Sequence, residues 1–188
     1  MTSVCATKNF SILVTSPCLT DTLNISNTKF TSSVLTYNVK SAASVFSWTD
    51  SDATSAGLLT TTCGAFTWTV TKSDGQAIDS TFFTINLGTK TISTYTTDFT
   101  KVGTYFNLAK VCYTELGLTS VCDTKTFSIV VNNPCLTDTL TIDATKFVSP
   151  VMTYDVKSTA SVFSWTDAYA ASVGGYTAIC GAFTWTVT

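Results

Sequence analysis

Residues 4–23 read VCATKNFSILVTSPCLTDTL and residues 63–71 read CGAFTWTVT; residues 121–140 answer with VCDTKTFSIVVNNPCLTDTL and residues 180–188 with CGAFTWTVT. The offset is 117 residues throughout, with no insertion, so Cys5, Pro17, Cys18, Trp48, Cys63 and Trp68 recur as Cys122, Pro134, Cys135, Trp165, Cys180 and Trp185. A period as long as a whole small domain predicts domains in tandem, not a solenoid of short stacked motifs. Residues 1–3 (MTS) already match residues 118–120 (LTS), so the sequence opens inside a unit and reads as about 1.6 units of a longer array. The expected organisation is residues 1–17 as the final strand of a preceding repeat, 18–134 as one complete domain, and 135–188 as the first part of the following repeat.

Within a unit, period-two alternation dominates and no helical period persists. Phe10, Ile12 and Val14 share one face of a predicted strand that ends at Pro17. Further alternation runs through residues 19–25, 34–39, 45–48 and 65–71, the last with Phe66, Trp68 and Val70 on one face and Thr67, Thr69 and Thr71 on the other. Lys72-Ser73-Asp74-Gly75 makes a turn, and Gly88-Thr89-Lys90 turns a hairpin between Phe83, Ile85, Leu87 and Ile92, Tyr95. Two long strands, 104–113 and 124–131, close the unit around a hairpin at Glu115-Leu116-Gly117. Seven or eight short strands at this spacing predict an all-β, antiparallel sandwich.

Charged residues make up 12% of the chain, with a net charge of −2. Hydroxyls must therefore do much of the solvating, since Ser and Thr are about a third of the residues. So weak a basic complement argues against nucleic acid as a partner. No apolar run approaches the roughly 18 residues that span a bilayer.

Seven cysteines and no histidine favour a disulfide framework over zinc or thiol catalysis. A bond from Cys5 to Cys18 would have to bridge the ends of an extended strand, about 30 Å apart. The expected pairs are Cys18 with Cys63, Cys112 with Cys122 across a hairpin, and Cys135 with Cys180. Cys5 is left unpaired, and free buried thiols are the plain alternative to the whole scheme. Disulfides imply an extracellular setting, secreted or on a cell surface.

From residue 80 to residue 134, the order STFFTINLGTKTIS, VGTYFNLAKVCYT, TKTFSIVVNNP resembles the immunoglobulin-like and cadherin-like repeats that occur in tandem on surface proteins of bacteria and protists. The resemblance covers nearly half of the complete unit and implies immunoglobulin-like sandwich domains. It implies a corner tyrosine at Tyr105, and it sets Asn107 where antibody domains carry a cysteine, so that Cys18 with Cys63 would replace the usual inter-sheet staple. The linker Asn132-Asn133-Pro134 lacks the carboxylates with which true cadherins bind calcium.

Catalysis has little to work with: there is no His, phosphate loop or nucleophile elbow. Asp50 and Asp52 form a carboxylate pair, but the second copy has Asp167 and Tyr169 there, which reads as solvated surface rather than glycosidase chemistry. Asp21 and Asp138 read as turn caps before cation ligands. No cofactor or metal site is expected. Asn9 and Asn24 open the sequons Asn9-Phe10-Ser11 and Asn24-Ile25-Ser26, hence N-glycosylation sites, although Thr126 and Thr141 replace them in the second copy. The four tryptophans alternate with Phe46, Phe66, Phe163 and Phe183, which favours core packing over sugar binding. The function this predicts is a structural unit of an extracellular filament or stalk, partnered by further copies of itself and by glycans. The alternative is an adhesin or carbohydrate-binding surface protein; an enzyme is the third and weakest reading.

Overall fold

The computed structural model of the chain describes residues 6–113, 121–147 and 164–186. The elements are overwhelmingly strands: β1 Leu23–Ile25, β2 Leu35–Asn38, β3 Ser44–Ser47, β4 Ala53–Ser55, β5 Phe66–Lys72, β6 Phe83–Asn86, β7 Thr91–Thr94, β8 Gly103–Tyr113, β9 Cys122–Asn132, β10 Leu140–Ile142 and β11 Ala170–Ser172. They form a four-stranded sheet β2-β9-β8-β5, a three-stranded sheet β3-β7-β6, and the two-stranded pairs β1-β4 and β10-β11.

The alternation explains the layers. In β5, Trp68 is buried while Thr67 and Thr69 are exposed; in β8, Asn107, Ala109, Val111 and Tyr113 are buried in alternate positions. The inward rows meet as a sandwich around an aromatic cluster. Phe30, from the loop between β1 and β2, lies 5.5 Å from Phe46, 5.8 Å from Trp68 and 5.6 Å from Phe127, ring centre to ring centre. Trp48 and Trp68 are 6.2 Å apart in the same cluster. The tryptophans of this unit are therefore core residues, as their spacing with phenylalanine predicts.

The four-stranded sheet is not wholly antiparallel. β2 pairs with β9 in parallel, Leu35 opposite Ile129 and Tyr37 opposite Val131, whereas β5-β8 and β8-β9 are antiparallel. Parallel neighbours need a long connection, and here nearly the whole unit separates the two strands. This arrangement covers the outer edge of β9, which a purely antiparallel meander would leave open.

A second correction concerns residues 10–14, where alternation predicts a strand. The segment forms no strand there, and Phe10, Ile12 and Val14 are exposed. A strand is defined by its neighbours, and this one has no ladder partner among the described residues. The predicted strand over 19–25 is also shorter, because Pro17 starts a 3-10 turn, Pro17–Leu19, before β1 begins. The expected hairpin at residues 115–117 lies outside the described residues. The buried core runs from Cys18 to Val131, and after Pro134 no described residue is fully buried.

Candidate functional site

Three disulfides pin the described residues. Cys18–Cys63 ties the turn before β1 to the short helix Thr60–Cys63, with Cα atoms 5.5 Å apart. Cys112–Cys122 links directly opposed residues of β8 and β9 at 4.2 Å, and Cys135–Cys180 repeats the first geometry at 5.5 Å. Cys5 lies outside the described residues. Three disulfides in a chain of this size fit an oxidising, extracellular setting. No helix among the described residues is long and apolar enough to cross a membrane.

Beside the first staple, a polar node joins distant parts of the chain. Asp21 accepts hydrogen bonds from Ser55 Oγ (2.6 Å) and the Gly57 amide (2.8 Å), and Tyr113 donates its hydroxyl to the same carboxylate. The bonds from Ser55 and Tyr113 stabilise the anion and hold the Asp21 carboxyl down to about 2. Burial, then the bond to Asp21, pushes the Tyr113 phenol up. The arrangement returns 117 residues on: Asp138 accepts from Ser172 Oγ and from the Gly174 amide at 2.9 Å. Sequence reading reached Asp21 as a turn cap but missed Ser55, Gly57 and Tyr113. The usable signal was that Asp21, Ser55 and Gly57 all persist in the second copy as Asp138, Ser172 and Gly174.

The carboxylate pair considered for hydrolysis is engaged structurally. Asp50 accepts from Trp68 Nε1 at 2.9 Å and pairs with Lys90 at 3.2 Å. Asp52 closes a capping box with Thr49, whose amide donates to it at 2.8 Å. Asp167 accepts from Trp185 Nε1 at 2.8 Å, as Asp50 does from Trp68. Among the described residues no cluster of His, Cys, Asp or Glu is arranged to hold a metal ion.

Tyr105 donates its hydroxyl to the carbonyl of Lys101, four residues upstream, at 2.8 Å, which is the hydrogen bond of a tyrosine corner. Asn107 is buried and gives its side-chain N–H to the Tyr105 carbonyl at 2.9 Å. Asn24 lies on β1 between the buried Leu23 and Ile25 and faces solvent, and Asn9 is exposed on the unpaired N-terminal segment.

Two apolar surfaces stand out by comparison with their counterparts. Phe10, Ile12 and Val14 are 84%, 76% and 87% exposed, whereas Phe127, Ile129 and Val131, 117 residues later, are 2%, 0% and 1% exposed inside β9. Leu140 and Ile142 of β10 are 60% and 58% exposed, whereas Leu23 and Ile25 of β1 are 4% and 5% exposed. The covered surfaces of β1 and β9 adjoin each other, for the Ile25 amide donates to Asp123 of β9 at 2.7 Å.

No family model and no curated protein matches the sequence. Among solved structures, the chain is similar to the human desmocollin-1 ectodomain, at 16% identity and a TM-score of 0.38, over 61% of this chain. It spans about a fifth (20%) of that ectodomain's length.

Proposed function

We propose that the chain is a structural building block of an extracellular filament or cell-surface stalk, made of head-to-tail, disulfide-stapled, glycosylated immunoglobulin-like units. In this reading residues 18–134 are one complete unit, residues 1–17 are the last strand of the unit before it, and residues 135–188 begin the unit after it. The observation that carries it is the contrast between Phe10, Ile12, Val14 and their counterparts in β9. The same side chains that form the core when flanked by β8 and β2 stand in water when no such strands are supplied. An exposed apolar segment with strand alternation can be added to the edge of another sheet. In this reading the surfaces to be joined differ, Phe10, Ile12 and Val14 on one side and Leu140 and Ile142 on the other, so the contact is heterologous and propagates instead of closing.

The alternative is an adhesin or carbohydrate-binding surface protein whose repeats present a binding site; Trp48 and Trp68, 2% and 3% exposed, offer no stacking face to a sugar, whereas Trp165 is 39% exposed. Glycan attachment at Asn24 and Asn9 is part of the proposal, supported by the outward position of both side chains. Mass analysis of the tryptic peptides from the native source tests it, with unmodified masses counting against it.

Association is tested with two blocked variants. Phe10→Asp with Ile12→Asp disables the N-terminal strand, and Leu140→Asp with Ile142→Asp disables the C-terminal face. Wild-type chain is expected to form concentration-dependent oligomers in light scattering, each blocked variant to stay monomeric, and their mixture to stop at a dimer. Wild-type chain that stays monomeric, or blocked variants that still form long oligomers, would reject the proposal.

A further inference from the structure

The ladder of β9 ends at Asn132, opposite Asn38 of β2, and the Val39 amide donates to the Asn132 carbonyl at 3.0 Å. Two residues later Pro134 opens the helical turn Pro134–Thr137. Asn133 is therefore the single residue between two ordered segments, and its torsions are held. As the residue before a proline it is confined to extended backbone, here at φ −95° and ψ 102°. Its side-chain oxygen accepts from the Cys135 amide at 3.0 Å, and its carbonyl accepts from the Leu136 amide at 3.2 Å. Pro134 has a φ fixed by its ring and is fully buried. The same passage occurs 117 residues earlier, where Ser16 has φ −93° and ψ 121° before Pro17 opens the turn Pro17–Leu19.

A second contact lies away from this passage. Lys40, at the corner between β2 and β3, has a left-handed backbone (φ 65°) and gives its amide to the Thr96 carbonyl at 2.9 Å. Its ammonium lies 4.9 Å from the centre of the Phe99 ring and donates to the Ile179 carbonyl at 3.3 Å. Ile179 belongs to the short helix Thr177–Cys180, which Cys135–Cys180 ties back to the turn that Pro134 opens. The chain thus leaves residues 18–134 at one point and is gripped again at another, with a disulfide joining the two points. The grip is on a main-chain carbonyl, so it does not depend on the side chain at 179, which is Thr62 in the first copy.

We infer that Asn133-Pro134 and the Lys40–Ile179 contact form a two-point joint that fixes the orientation of one unit to the next without a metal ion. The inference rests on the unit boundaries proposed above and adds that the stalk is stiff, each unit keeping one rotation to its neighbour. Lys40 is exposed, and an exposed charged contact is weak by itself. The backbone passage therefore supplies most of the constraint, and the lysine selects one rotation about it. The cation at this joint is the Lys40 ammonium, which repels a divalent ion instead of needing one.

The test uses the 188-residue chain in a weakly aligning medium, with residual dipolar couplings read at the amides of β8 and β9 and of Thr177–Cys180. One common alignment is expected, unchanged by EDTA. Asn133→Gly frees the passage and Lys40→Gln removes the ammonium, and both should lower the couplings at Thr177–Cys180 relative to those of β8 and β9. The glycine change should lower them by about a third or more, the step from rigid to flexible backbone, and the lysine change by less. Unaltered shifts in β8 and β9 verify that both variants keep the fold. Independent alignment of the two segments in the wild-type chain, a common alignment lost on adding EDTA, or a variant of either kind that keeps the wild-type couplings would each overturn the joint. A chain that associates through residues 10–14 while its segments align independently loses the joint and keeps the assembly reading. A chain with one alignment that stays monomeric keeps the joint and loses the assembly reading.

Discussion

Tyr113 donates its hydroxyl to Asp21 across 92 positions of sequence, so the end of the eleven-residue strand β8 is fastened to the segment just before β1. The contact sits beside Phe66, and it gives a buried phenol a partner that is held as an anion. Replacing Tyr113 by Phe keeps the ring and removes only this bond. A hydrogen bond to a charged group contributes about 1.5–3 kcal/mol, and Asp21 retains Ser55 and Gly57, so the expected loss lies near the lower end. Denaturant unfolding of the variant beside wild type measures it, and no change would show that solvent replaces the phenol freely.

The same carboxylate predicts an acid limb. Asp21 titrates near 4 when unfolded and at about 2 when folded, so the folded state favours its ionised form. Its contribution is complete above pH ~4 and disappears as pH falls through the folded value. Asp79, held at about 2 first by the Thr81 hydroxyl, acts with the same sign. Stability should therefore decline from pH ~4 towards pH ~2. Asp21→Asn should flatten that decline while lowering stability at neutral pH, and thermal melts across this range give the comparison.

The disulfides Cys18–Cys63 and Cys112–Cys122 should differ in worth. Cys18–Cys63 spans 45 positions and Cys112–Cys122 spans 10. If a cross-link acts by restricting the unfolded chain, the longer loop contributes about 4 kcal/mol and the shorter about 2.7 kcal/mol. Replacing each pair by alanines should show the first loss to be the greater by about 1 kcal/mol. Cys18 and Cys63 are also more buried than Cys122, which moves the difference in the same direction. Equal losses would mean that the hairpin bond organises more than its loop.

Much of this was legible in the residues because alternation reports which side of a strand is covered. Phe66-Thr67-Trp68-Thr69 declares one wet and one dry face, and β5 has both. Strand direction was not legible: alternation in Leu35–Asn38 is the same whether β9 runs parallel or antiparallel beside it. Three-residue β4 is too short to carry a period at all. The node at Asp21 was hidden because its members lie 34, 36 and 92 positions away, and no local pattern joins an aspartate to a serine, a glycine amide and a tyrosine.

Phe10 and Phe127 occupy the same place in the repeat and should respond in opposite ways to the same change. Phe127 is 2% exposed and packs its ring 5.6 Å from Phe30 and 6.2 Å from Phe46. Truncating such a ring to alanine removes its burial and leaves a cavity between two sheets that cannot fully collapse, at a cost of about 3–5 kcal/mol. Phe10, at 84% exposure, has no such packing within its own chain. Phe10→Ala should therefore leave the denaturant midpoint of the isolated chain unchanged within about 0.5 kcal/mol. If the N-terminal strand is buried against another copy, however, the same substitution should weaken association by an amount approaching the Phe127 value, because there it would be removed from an equivalent core. Unfolding measured at low concentration isolates the first effect, and light scattering over a concentration series isolates the second. Phe10→Ala that lowers stability at low concentration would mean the segment packs within its own chain. A variant unchanged in both stability and association would mean that its resemblance to β9 is not used for joining copies.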